Sequence, residues 1–364
     1  MSDPVEKAAE GWGRTLPLLR GAAIFVILGG LKAADSVLLP LLLASFLAGL
    51  SIPVLDALRR RGMGRVLAVG LTYLGLVALL VAVGFLLGQA VSGFLEEVPT
   101  YLGLLLGRYE QAVAWLDGRG ITLADWWSPQ QLDASYLVDK VSGLVGGAVR
   151  GVWDAFSFLL LALVALLFLL VEATEFDVRL ARALGDRREV IAGFVAVSRN
   201  IQRYLLIKTA TSAMVGVLAG LLTWLAGVDF PLIWGMLAFF LHYIPVIGAI
   251  VAGVPPVLLA LALLGPGRAA LLALGFLVIN FVVGNLLEPL LMGRPLGLSP
   301  LAVLMSLAFW GWVWGVIGMV LSVPLTLVIK SLLDRSGQLR WLAVLLGPAP
   351  ETATSGAEPA EASS

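Results

Sequence analysis

The sequence predicts an all-α, polytopic integral membrane protein, and three observations carry that prediction. Of the 364 residues, 60% are hydrophobic and 13% are charged, against about 25% charged in a soluble domain. Glycine is abundant at 41 residues, as expected where small side chains let helices approach closely in lipid. Apolar runs of the roughly 20 residues needed to cross a hydrocarbon core recur along the chain. A soluble globule of this composition would expose apolar surface everywhere, so the natural solvent is the bilayer.

The runs at 16–34, 37–55, 67–93, 152–171, 205–227 and 269–287 each have the length of one crossing. Two more, at 231–264 and 299–329, exceed one straight crossing and are interrupted by Gly and Pro. The total is about eight membrane segments. The chain then divides into an N-terminal three-helix membrane region (1–93), an extracytoplasmic amphipathic region (94–151), and a fourth membrane helix with a basic linker helix (152–203). A C-terminal transport region (204–346) and a disordered tail (347–364) rich in Pro, Ala, Glu, Ser and Thr complete it. The start of the chain is acidic (Asp3, Glu6, Glu10), so the first run is expected to be a retained helix and not a signal peptide.

Basic residues stay on the cytoplasmic side. Arg59, Arg60, Arg61 and Arg65 cluster after the second run, and Arg179, Arg182, Arg187, Arg188, Arg199 and Arg203 fill the linker before the fifth. Lys330, Arg335 and Arg340 follow the last run. All three sets share one face if both termini are cytoplasmic, which suits a bacterial inner membrane. Val98, Leu102, Leu105, Tyr109, Ala112 and Leu116 recur at helical spacing in the outer region, predicting an amphipathic helix. The linker carries a similar stripe (Leu180, Leu184, Ile191, Phe194, Ile201), expected to lie on the membrane or on a partner subunit of a homo-oligomer, with a solvated connector helix as the alternative.

The two interrupted stretches resemble each other. Leu237-Ala238-Phe239-Phe240 aligns with Leu307-Ala308-Phe309-Trp310, Val246-Ile247-Gly248 with Val316-Ile317-Gly318, and Val254-Pro255 with Val323-Pro324. Each stretch breaks at its centre, and the reading favours two re-entrant hairpins entering from opposite faces. Kinked spanning helices are the alternative. Paired broken segments point to a transporter's binding site, because broken backbone offers unpaired N–H and C=O groups at mid-membrane. The hinge and break positions are Pro245, Gly248, Pro255, Pro289, Gly293, Gly297, Gly311, Gly315, Gly318 and Pro324.

Ionisable groups in apolar runs mark function. Asn280, Gly284 and Glu288 fall at i, i+4 and i+8, one stripe of a regular helix, with Asn285 beside them. A carboxylate among amides could bind a cation or exchange protons. Lys208, behind Gln202 and Tyr204, could pair with Glu288, hold an anionic group or snorkel. His242 beside Pro245 could sense protons or serve as a neutral hydrogen-bonding residue.

Several classes are excluded. Zero net charge removes nucleic acid as a partner. The absence of cysteine and the single histidine exclude disulfides, thiol catalysis, zinc fingers and iron–sulfur ligation. None of Lys7, Lys32, Lys140, Lys208 and Lys330 follows a glycine, so there is no Walker A loop. No serine pairs persuasively with His242 for intramembrane proteolysis. No cofactor or metal is expected.

At Gln202-Arg203-Tyr204 with Lys208, at His242-Tyr243-Ile244-Pro245-Val246-Ile247-Gly248, and at Leu287-Glu288-Pro289 through Gly293 and Gly297-Leu298, the sequence resembles the autoinducer-2 exporter family of bacterial permeases. Phe309-Trp310-Gly311-Trp312-Val313-Trp314-Gly315 and Val323-Pro324-Leu325 extend the resemblance. It departs at His242 and Val246, where the family often has asparagine and an aromatic, and at Leu290 and Ser299, where lysine and histidine are common. The resemblance implies export of a small furanosyl borate-type signal or related compound, or exchange of Na⁺ or Li⁺ for H⁺. The expectation is therefore a secondary transporter whose partners are the lipid bilayer and a small-molecule or ion substrate. An oligomeric channel or non-transporting scaffold is the alternative of a different class.

Overall fold

The computed structural model describes residues 21–23, 25–119, 158–173, 179, 182, 188–245, 247–292, 297–336 and 339–348. Among them every regular element is a helix. In chain order these are α1 (Gly21–Ala33), α2 (Asp35–Arg60), α3 (Arg65–Asp117), α4 (Phe158–Ala173) and α5 (Arg188–Ala226). There follow α6 (Pro231–Leu241), α7 (Ile247–Leu264), α8 (Pro266–Asn280), a π-helical turn (Phe281–Leu287), α9 (Glu288–Met292), α10 (Pro300–Arg335) and α11 (Arg340–Leu346). Six spans have the length and apolarity of a membrane crossing, with α8, the π-helical turn and α9 counted as one. Leu74, Val217, Leu277 and Leu301 are more than 60% exposed, as lipid-facing side chains are in an isolated chain.

Three boundaries differ from the sequence expectation. Ala34 alone separates α1 from α2, so those two apolar runs follow one another without a connecting loop. The helix expected over 98–116 is no separate element. It continues the third run as one 53-residue helix, about 80 Å long at 1.5 Å per residue. Likewise residues 188–203 are collinear with the fifth run inside the 39-residue α5, which a helix lying flat on the membrane could not be. Periodicity reports a face but is blind to where an unbroken helix leaves the bilayer. Residues 120–151 of the region expected to be extracytoplasmic, and the tail from 349, lie outside the described residues.

Both broken stretches fold back as helical hairpins. In the first, the proline at 245 supplies no N–H and ends α6. The tip is closed by Ile244 N–H to the Leu241 carbonyl (2.8 Å) and Gly248 N–H to the Ile244 carbonyl (3.1 Å). In the second, Trp314 (φ −130°, ψ 19°) and Gly315 (φ 61°, ψ −143°) break α10, and the Gly315 conformation suits a residue with no Cβ. Ser306 then donates to the Ser322 carbonyl at 3.0 Å and Trp310 Nε1 to Thr326 Oγ1 at 3.3 Å. A straight helix would hold residues 16 apart about 24 Å from each other, so the two legs are antiparallel. The internal repeat is visible at the tips. A Cβ on Gly248 would lie 1.7 Å from the Leu241 carbonyl oxygen, and one on Gly318 would lie 2.0 Å from that of Trp310.

The hairpins point opposite ways. The legs of the first end beside α3, where Tyr101 donates to Asp229 (2.9 Å) and Arg108 to the Ala262 carbonyl (3.4 Å). Its tip reaches the middle of α5, where Tyr243 donates to Thr209 Oγ1 at 2.7 Å. The legs of the second end in a cluster of Tyr204, Leu205, Val323 and Leu327 with Met292 and Leu298. Its tip lies against the other end of α2, with Trp310 and Trp314 packed on Leu39 and Trp314 Nε1 donating to the Leu31 carbonyl at 3.0 Å.

Candidate functional site

The site lies where three elements meet: α5, the tip of the first hairpin, and the start of α9. The α5–α6 contact is as close as two backbones allow. A Cβ on Gly235 would meet the Gly216 carbonyl oxygen at 2.7 Å and Gly220 Cα at 3.2 Å. The spacing Gly216-x-x-x-Gly220 provides that flat face. It carries α6 down α5 so that residues 242–245 arrive level with Lys208 and Thr209.

Lys208 is buried, with 7% of its side chain exposed, and its Nζ donates to both Glu288 oxygens at 2.9 and 3.0 Å. Glu288 is 15% exposed, and His242 Nε2 stands 3.5 Å from its Oε2. That separation is long for a hydrogen bond, and Nε2 is buried without a partner. Ser212 Oγ is also buried and unpartnered. It lies one turn beyond Lys208 on α5, between Thr209, bonded to Tyr243, and Gly216, packed on Phe239, which puts it level with the tip. The arrangement is one neutralised ion pair with an unsatisfied imidazole nitrogen beside it, an unsatisfied hydroxyl one turn along α5, and the hydroxyls of Tyr204, Tyr243 and Thr209 nearby.

Of the sequence-predicted residues, the fold brings together Lys208, Glu288 and His242, with Tyr204 within electrostatic reach of Glu288 and Tyr243. Tyr204, one turn before Lys208, is buried against Val323 and Leu327 of the second hairpin. Gln202 donates instead to the Gly49 carbonyl of α2 at 3.3 Å. Of the stripe expected for Asn280, Gly284 and Glu288, the last two both face His242: a Cβ on Gly284 would lie 4.0 Å from its Cε1, and Glu288 Oε2 stands 3.5 Å from its Nε2. The π-helical turn between Asn280 and Glu288, with its i→i+5 bonding, still keeps residues four and five apart near one face. Asn280 donates to the Phe276 carbonyl of its own helix at 2.9 Å, and Asn285 is exposed. Pro245, Gly248, Gly315 and Gly318 lie at the two tips, and Gly311 close before the second, facing Met319. Pro255 and Pro324 sit inside continuous helices, Pro289 in the first turn of α9, and Gly297 (φ 73°) before α10. Gly293 lies outside the described residues.

Thr209, Ser212 and the Ser306–Thr326 contact between the hairpin legs carried no sequence signal. Hydroxyls inside helices ordinarily bond their own backbone, as Thr209 does to the Leu205 carbonyl.

Residues 22–337 match the AI-2E family transporter family. The chain is 33% identical to the AI-2 transport protein TqsA of Escherichia coli K12 over 89% of this chain and 93% of that one. It is 33% identical to YhhT of the same organism, named as a proposed transport protein, over 91% and 94%. A relative from Haemophilus influenzae, also named for proposed transport, is 34% identical over 91% and 95%.

Proposed function

The chain belongs to the AI-2E transporter family, and from that premise we propose that it is a secondary transporter exporting a small polar organic solute through the Lys208–Glu288–His242 site. It is a multi-pass membrane transport protein and not an enzyme. The observation that carries the proposal is the neutralised Lys208–Glu288 pair with the unpartnered His242 Nε2 beside it and the unpartnered Ser212 Oγ one turn along α5. A hydroxyl-bearing, uncharged or zwitterionic solute satisfies both orphan atoms and leaves the pair intact. An unsatisfied buried polar atom costs about 1–3 kcal/mol, so each bond restored favours the loaded state. The AI-2 named for the relative TqsA is a candidate of this chemistry. The two hairpins with α8 and α9 form the moving body, α1–α4 form the scaffold and the oligomer contact, and both termini face the cytoplasm of a bacterial inner membrane.

Exchange of Na⁺ or Li⁺ for H⁺ is the second reading, favoured by the carboxylate of Glu288 standing beside an imidazole. A metal cation there must first displace the Lys208 ammonium from both carboxylate oxygens. The deciding experiment uses proteoliposomes and two readouts, efflux of labelled AI-2 and collapse of an imposed pH gradient by Na⁺ or Li⁺. Solute efflux that needs an ion gradient, and falls about tenfold or more in Glu288→Gln on loss of a charge-assisted bond of ~1.5–3 kcal/mol, supports the proposal. Gradient collapse without solute efflux transfers the site to cation exchange, and gradient-independent flux makes the protein a channel.

A further inference from the structure

Outside the Lys208 site, one cleft combines concentrated charge with space. It measures about 410 Å³ and lies between the C-terminal end of α2 and α5, lined by Pro53, Asp56, Arg60, Arg199, Gln202 and Arg203 among others. Three guanidinium groups from two helices thus face one space against a single carboxylate. Like charges held so close repel, and a bound anion relieves that repulsion. Arg203 also donates to the Leu291 carbonyl at 3.3 Å. Arg60 and Arg199 make no hydrogen bond or ion pair among the described residues, which leaves two planar forks free for a bidentate oxyanion.

The walls of the cleft identify the source of that anion. Pro53, Ala57 and Leu206 also line it, and Leu206 is 38% and neighbouring Val54 53% exposed. Below the arginines the groove therefore opens onto lipid-facing apolar side chains, where acyl chains run. The arginines stand where the apolar run of α2 ends, at headgroup height, and basic pockets of this kind between transmembrane helices bind anionic headgroups. We propose that this cleft is a binding site for the phosphate of an anionic phospholipid, bridging the scaffold helix α2 to α5. The occupant would sit beside the Gln202–Gly49 bond, on the same helix as Lys208 and less than two turns before it.

The test is thermal unfolding of the full chain in neutral detergent, titrated with phosphatidylglycerol, phosphatidylcholine, or inorganic phosphate. Phosphatidylglycerol alone should raise the midpoint by several degrees. Arg60→Gln/Arg199→Gln should lose that increment, Asp56→Asn should enlarge it, and Arg268→Gln, at the far end of the first hairpin, should keep it. Equal shifts with phosphatidylcholine would overturn the site, as would retention of the increment in the double variant. An equal shift with inorganic phosphate would replace the lipid by a soluble anion and overturn the assignment of source. Should the double variant fail to fold, an unaltered response in Asp56→Asn would itself sink the proposal.

Discussion

Lys208 and Glu288 are the two residues whose chemistry depends most on each other. Both are largely buried, and each neutralises the other through two short contacts. Removing one partner of a buried pair leaves an uncompensated charge, at a cost of about 3–5 kcal/mol, whereas replacing both with apolar groups is often close to neutral. Lys208→Met should therefore lower the unfolding midpoint in detergent sharply, and Lys208→Met/Glu288→Leu should recover most of it while remaining inactive in efflux. A single variant as stable as wild type would mean that the pair is wet in the membrane. Both residues stood out in the sequence as charges inside apolar runs, but spacing left Lys208 open between pairing with Glu288, holding an anionic group and snorkelling. Ser212 and Thr209 did not stand out, since a helical hydroxyl normally bonds its own carbonyl. Asn280 and Asn285 stand apart for another reason: Asn280 bonds the Phe276 carbonyl of its own helix and Asn285 is exposed, which spacing alone does not reveal.

Away from the hairpin tips, α5 and α6 approach backbone to backbone, and their glycines are not interchangeable with others in the chain. At Gly235 an added Cβ meets only backbone, the Gly216 carbonyl oxygen and the Gly220 Cα and nitrogen, none of which can rotate away. At Gly275 it meets Leu222 Cδ2 at 2.6 Å, the far end of a side chain with other rotamers. Gly235→Ala should consequently separate the helices and lift the tip of the first hairpin from Lys208, lowering both the unfolding midpoint and efflux. The overpacking cost is about 1–3 kcal/mol. Gly275→Ala should stay near wild type in both measurements, and equal effects of the two would refute the packing argument. The hairpins themselves were legible, because Pro245 and Gly315 interrupt runs too long for one crossing and the repeat aligns their tips. The lengths of α3 and α5 were not. An amphipathic stretch after a membrane run has the same 3.6-residue period whether it bends away or continues.

At the scale of the whole molecule, the two hairpins give the C-terminal half an inverted construction that places backbone breaks at two depths. The first hairpin is braced at its open end by Tyr101 and Arg108 of α3, and the second opens beside Tyr204 and Lys330, near the basic end of α2. If the basic clusters face the cytoplasm, Arg268 at the start of α8 and Asp334 at the end of α10 lie on opposite sides of the membrane. The chain has no cysteine, so a single introduced thiol reports its own location. Arg268→Cys should react with a membrane-impermeant maleimide in intact cells, and Asp334→Cys only after the cells are opened. Neither substitution should disturb the fold. Arg268 is exposed, and Asp334 pairs with Lys330 only as a surface i, i+4 ion pair at 3.3 Å, worth no more than about 0.5 kcal/mol. Labelling of both positions from the same side would refute the inverted arrangement. It would also remove the basis for hairpins that expose the Lys208 site alternately to the two faces, since a body whose hairpins enter from one side has no second mouth to open.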